Sequence, residues 1–136
     1  MLENVRFRAA IAISLGAIAG ALGRYYIGLA LTSALGPHFP WGTLGVNLSG
    51  GLLMGLVTSL VAHRGYVHPE VLLLITTGYL GSYTTFSAYA LDTAALGDRP
   101  GLLWDFLYWF GSPALGMICL ALGLVIGKAI SPQHQD

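Results

Sequence analysis

Between residues 78 and 89 the chain reads Gly78-Tyr79-Leu80-Gly81-Ser82-Tyr83-Thr84-Thr85-Phe86-Ser87-Ala88-Tyr89, two glycines and then hydroxyl side chains at nearly every second position. The flanking sequence is apolar. In lipid there is no water to satisfy a freed backbone N–H or C=O, so irregular backbone at that depth must be buried in protein or line a route for ions or water. The competing reading is an intact helix whose Ser and Thr hydroxyls bond back to carbonyls one turn earlier. On the first reading this stretch is the functional centre, and its chemistry is the handling of a small ion.

Other groups that could act on an ion lie along the chain. Asn47 is a lone amide in an apolar run; it either staples helices together or points its N–H groups at a passing anion. Arg24 also sits within an apolar run. Its charge either snorkels to the nearest interface or faces a cavity and draws anions to a pore mouth. Phe86 and Tyr89 share one face if the backbone there is helical. Paired aromatics commonly pack a core, but a ring edge carries positive charge and can stabilise a small dehydrated anion. Ser87, Tyr108 and Ser112 add hydroxyls that could bond it in turn.

Catalysis has little support. There is no Gly-x-Ser-x-Gly elbow, no pair of membrane-buried carboxylates and no phosphate loop. His63 and His68 fall in a loop, without metal-ligand spacing. The chain of 136 residues is 55% hydrophobic and 9% charged with zero formal net charge, against about 25% charged residues in soluble domains. Such a balance argues for a lipid solvent and offers no basic stripe for nucleic acid. The single Cys119 lies in an apolar run and reads as packing.

These residues must be positioned by membrane-spanning helices, each needing roughly 20 apolar residues. Four spans are expected, at about 9–32, 42–62, 71–91 and 102–128, forming one domain over residues 1–136. A signal peptide ending near Ala19-Gly20-Ala21 is the weaker reading of the start, because the apolar run continues past it. Gly36-Pro37-His38-Phe39-Pro40 marks the first loop, His63 to Glu70 the second and Asp92 to Gly101 the third. Small residues four apart, at Gly16/Gly20, Gly45/Ser49, Gly51/Gly55 and Gly123/Gly127, should let helix backbones approach closely. Pro113 should kink the last span or free a carbonyl. With both termini on one side, Arg6, Arg8, Arg64 and Lys128 oppose Arg99, which favours cytoplasmic termini. A domain this small is expected to take a partner subunit.

Four pieces in order carry a resemblance: Gly20-Ala21-Leu22-Gly23-Arg24-Tyr25; Trp41-Gly42-Thr43-Leu44-Gly45-Val46-Asn47-Leu48-Ser49-Gly50-Gly51; the segment from Gly78 to Tyr89; and Tyr108 to Ser112. Together they span nearly the whole chain, which resembles the small bacterial fluoride channels of the Fluc (CrcB) family. The resemblance implies an all-α membrane protein with four transmembrane helices per subunit, a broken third helix, and an antiparallel dual-topology dimer in the bacterial inner membrane. It implies passive export of fluoride, relieving its toxicity, through pores lined by Asn47, Phe86, Ser87, Tyr89, Tyr108 and Ser112, with Arg24 at the vestibule. It also implies a central structural sodium ion held by backbone carbonyls of Gly81 and Thr84, the backbone unwinding from Gly81 to Thr84 to seat it.

Two departures stand out. The family pattern Phe-Ser-Thr-Phe is Phe86-Ser87-Ala88-Tyr89 here, and Gly116 stands where a hydroxyl is common. Both a homodimer and a heterodimer are therefore kept as expectations. The alternative function for a compact dual-topology four-helix dimer is a proton-coupled exporter of small cations. It needs an acid at mid-membrane, whereas Asp92 and Asp105 fall at span ends.

Overall fold

The structure, a computed structural model, describes residues 2–64, 67–97 and 102–131. Asp98, Arg99 and Pro100 lie outside the described residues, and so does the Arg64 side chain; the charge comparison across the membrane rests partly on them. All regular elements among the described residues are helical: α1 (Leu2–Leu35), α2 (Trp41–Arg64), α3 (Pro69–Leu73), a π-helical stretch (Leu74–Leu80), α4 (Gly81–Tyr83), α5 (Phe86–Gly97) and α6 (Leu102–Ile130).

Three of these, α1, α2 and α6, are long and apolar enough to cross a membrane by themselves. The third crossing is assembled from pieces, α3 through α5. At 34 residues and a rise of ~1.5 Å per residue, α1 is about 50 Å long, beyond the ~30 Å hydrocarbon core. Ile11, Leu15, Ile18 and Leu22 on α1 are exposed, as are Leu103, Phe106, Phe110, Met117 and Val125 on α6. A chain apolar on its outer face as well as its inner one belongs in lipid. This is a multi-pass membrane protein.

Local chemistry sets the ends. Gly36, at φ 91°, adopts the left-handed conformation that stops α1, and its N–H donates to the Thr32 carbonyl at 2.9 Å. Pro37 and Pro40 prevent the helix from resuming before Trp41. Pro69 opens α3, where a missing N–H costs nothing, and Glu70 follows in its first turn. Arg8 on α1 meets Glu70 at 3.0 Å and His68 meets it at 2.6 Å, tying α1 to the start of the third crossing.

The His68 hydrogen bond, then a backbone hydrogen bond at Glu70 and, more weakly, the charges of Arg8 and His68 hold the Glu70 carboxyl below the usual carboxylate range, outweighing desolvation. A depressed folded-state pKa contributes stability above the ordinary carboxyl pKa and loses it as pH falls through the lowered value. The detergent-solubilised protein should therefore show an acid limb in its melting temperature below about pH 4.5. Glu70→Gln should flatten that limb; an unchanged limb would mean the clasp adds nothing.

The interhelical layers follow the glycines. A Cβ on Gly16 would strike the Leu74 carbonyl and one on Gly20 the Tyr79 carbonyl; in return, a Cβ on Gly78 would lie 2.7 Å from the Ile13 carbonyl. α1 thus packs backbone to backbone against the π-helical stretch. Gly55 meets the Leu120 carbonyl and Gly123 the Leu52 carbonyl, so α2 and α6 interlock reciprocally. Gly127 closes on Ser59, its notional Cβ 2.6 Å from that Cβ. The expected close approaches at Gly16/Gly20 and Gly123/Gly127 occur, and of the pair Gly51/Gly55 the tighter one is Gly55. Val46, Leu80 and Tyr108 are the fully buried large side chains.

Candidate ion-handling site

The third crossing does break, at the last residue of the expected segment from Gly81 to Thr84. Gly81 keeps helical angles (φ −63°, ψ −30°), and Gly81–Tyr83 is a helical turn. The chain opens at Thr84, where ψ swings to 158°. Upstream, the wide turns of the π-helical stretch replace the unwinding that the paired glycines suggest. Such bulges need the local backbone room that Gly16 and Gly20 of α1 provide. Hydroxyl back-bonding is present too: Thr76 Oγ1 donates to the Leu72 carbonyl at 2.8 Å and Thr84 Oγ1 to Leu80 at 3.1 Å. The hydroxyls bond back as an intact helix would have them, yet the helix itself is interrupted at Thr84.

Asn47 holds the break together. Its Nδ2 donates to the Thr85 carbonyl at 2.9 Å, and its Oδ1 accepts the Thr85 N–H at 2.8 Å. The amide stands in for a peptide group: it accepts the Thr85 N–H that the interruption orphans and donates to the carbonyl from which α5 starts. Thr85 then starts α5, its Oγ1 accepting the Ala88 N–H at 3.1 Å as an N-cap. On the α2 side, a Cβ on Gly50 would collide with the Thr84 Cγ2 methyl in its present rotamer, so glycine gives that side chain room against α2. The preceding Tyr83 is buried and pairs its hydroxyl with Ser49 Oγ at 2.9 Å. The bare sequence gave no reason to single out Thr85, Gly50 or the Ser49–Tyr83 pair. The Thr-x-x spacing before Ala88 was the available signal for the cap.

A groove of about 430 Å³ opens beside the break, lined by Asn47, Gly50, Thr84, Thr85, Phe86, Tyr89, Ser112, Pro113 and Gly116, with Met54, Met117 and Leu120 among its apolar walls. Four of the six expected pathway residues, Asn47, Phe86, Tyr89 and Ser112, meet there. Phe86 is 79% exposed, a bare phenyl on the groove wall. Its ring centre lies 5.6 Å from that of Tyr89, which lies 5.5 Å from that of Tyr108, which stands edge-on to Phe39 at 5.4 Å.

Tyr108 itself is buried behind Tyr89 and donates to Asp92 Oδ2 at 3.3 Å. Ser87 does not line the groove; it is exposed and its hydroxyl pairs with Thr85 Oγ1 at 3.2 Å. Arg24 lines a separate cavity of about 300 Å³ with Thr43, Val46, Thr85 and Ala88. Among the described residues no carboxylate forms an ion pair with it. Thr85 borders both cavities, so the interruption is the wall between them.

Gly81 is exposed and lies at the C-terminal end of the first half of the crossing, with Thr84 just beyond it. Carbonyls at such an end carry the negative pole of the helix, and glycine leaves its own unshielded. The donor set fits a hard cation.

Three long apolar helices and a broken helical segment beside a polar groove define a small multi-pass helical membrane protein built around a broken helix. The profile of the family described as CrcB-like protein, Camphor Resistance (CrcB), matches residues 11–124, and the chain belongs to that family. It is 48% identical over 130 residues to the fluoride-specific ion channel FluC of Trichormus variabilis, covering 94% of each chain. It is 42% identical over 121 residues to the protein of the same description from Synechococcus sp., covering 89% of this chain and 93% of that one. The one from Allorhizobium ampelinum is 37% identical over 118 residues, 87% and 94% of the two chains.

Proposed function

We propose that the chain is a fluoride-selective channel, not an enzyme, exporting fluoride passively across the bacterial inner membrane. The observation that carries this reading is the Asn47-held interruption of the third crossing. It opens a groove of amide, hydroxyl and aromatic edge in a chain close in sequence to proteins described as fluoride-specific channels.

A small anion entering lipid must exchange its water shell for fixed donors. One Asn47 N–H is committed to Thr85, which leaves the second for the anion. Ser112 adds a hydroxyl, and the Phe86 and Tyr89 edges add weak positive potential on either side. Arg24, in its own cavity across Thr85, supplies charge that raises the local anion concentration.

The groove is open along one side, and a second copy would close it. The proposed assembly is an antiparallel dimer, with identical subunits as the simpler case. Each copy brings the Gly81 and Thr84 carbonyls, two oxygens where a sodium ion takes more, so the cation belongs between copies. When bound, it would brace the interface and add fixed positive charge.

Purified protein in liposomes should release fluoride and retain chloride, as read by ion-selective electrodes, and replacing sodium by a bulky organic cation should lower the rate. Asp105→Asn should leave the flux in place. Equal release of both anions, or none, would overturn the reading, and proton-coupled cation exchange abolished by Asp105→Asn would replace it with the exporter.

A further inference from the structure

Pro113 lies inside α6. In a regular α-helix the N–H of residue 113 would donate to the carbonyl of residue 109, and proline has no N–H. Trp109 therefore holds a carbonyl without its intrahelical donor, at a depth where lipid offers none. The hydroxyl of Tyr89 reaches across from α5 and donates to that carbonyl oxygen at 2.6 Å. Tyr89 and Pro113 also line the same groove.

We infer that Tyr89 is a positioning residue whose phenol replaces the hydrogen bond Pro113 cannot make, and that this bond fixes its ring and shields the Trp109 carbonyl beside the anion route. The inference rests on reading the groove as that route. It also joins two features of the sequence that had no connection: the tyrosine where the family pattern has phenylalanine, and the proline within the last span. Together they are one device.

The bond has two consequences for an anion. The Tyr89 proton is already donated, so this residue meets the anion with its ring edge and not as a hydroxyl donor. With phenylalanine at 89 the negative end of the Trp109 carbonyl would be uncovered next to the groove, and the ring between Phe86 and Tyr108 would lose its tether. Restoring the family residue should therefore slow conduction.

The test is a double-mutant cycle on the full-length protein in liposomes, each variant compared with its own background. Tyr89→Phe should slow fluoride efflux about three- to tenfold in the wild-type chain, the scale of one interhelical hydrogen bond. In the Pro113→Ala background, where residue 113 regains its N–H, the same change should cost less than about twofold. An equal fold-change in both backgrounds would overturn the inference.

A second readout does not depend on transport. The Trp-Phe pair occurs once, at Trp109-Phe110, so 13C-carbonyl tryptophan with 15N-phenylalanine selects the Trp109 carbonyl in solid-state NMR spectra. Its resonance should move upfield on Tyr89→Phe and stay in place when Pro113→Ala is already present. No movement in the wild-type background would overturn the inference. If the wild-type protein passed no fluoride, the channel reading would fall, and this resonance would still decide the coupling.

Discussion

Asn47→Asp should reduce fluoride efflux from liposomes by a hundredfold or more. A carboxylate in place of the amide loses the N–H that the Thr85 carbonyl accepts at 2.9 Å, while it can still accept the Thr85 N–H. It also sets a full negative charge on the groove wall. At an effective dielectric of about 20, two like charges a few ångströms apart repel by about 3–4 kcal/mol, which corresponds to a factor of about a hundred to a thousand in rate. Asn47→Ala separates the two effects. It carries no charge but leaves the Thr85 N–H unpaired, at about 1–3 kcal/mol, and should lower thermal stability more than Asn47→Asp does, since aspartate can still accept that N–H. If alanine slows efflux as much as aspartate, holding the break matters more than the amide's charge pattern. Unchanged efflux in the aspartate variant would remove Asn47 from the route.

The second large effect concerns assembly. Gly55→Val should lower the melting temperature in detergent sharply, because its Cβ would land on the Leu120 carbonyl and that backbone can yield only by separating α2 from α6. Overpacking costs about 1–3 kcal/mol where side chains can shift, and here the obstacle is backbone, so the upper end is expected. Gly111→Ala is the matching control. Nothing lies within 4 Å of a Cβ at Gly111, and alanine should be neutral or stabilising by about 0.5–1 kcal/mol through helix propensity. Equal melting of the two variants would mean that glycine contacts do not hold these helices together.

Much of this was readable in the residues. Small side chains four apart give away backbone contact, because lipid provides no hydrophobic drive and close packing must replace it. The hydroxyl-rich segment after Gly78 gave away the interruption, since lipid penalises unpaired backbone wherever no partner is prepared. What could not be read was the partner. The break falls at Thr84–Thr85 and not at Gly81 because the Asn47 amide reaches Thr85, a pairing across 38 residues that no local pattern encodes. The π-helical stretch was equally hidden: its wide turns exist because Gly16 and Gly20 on another helix leave room. The resemblance puts Ser87 on the pathway, but at the start of α5 its hydroxyl pairs with Thr85 Oγ1. Tyr89 read as a departure from a pattern until the carbonyl freed by Pro113 appeared next to its hydroxyl.

The third crossing changes neighbours halfway. Its first half, α3 through α4, packs closely on α1, whereas α5 packs on α6 and α2 and is separated from α1 by cavities. During synthesis the two halves therefore find their seats at different times. The amino-terminal half can dock as soon as it enters the bilayer, because α1 is already there. The carboxy-terminal half meets its main partner only when the last span follows, whereas the bend between the halves is set by Asn47 of α2, which precedes it in the chain.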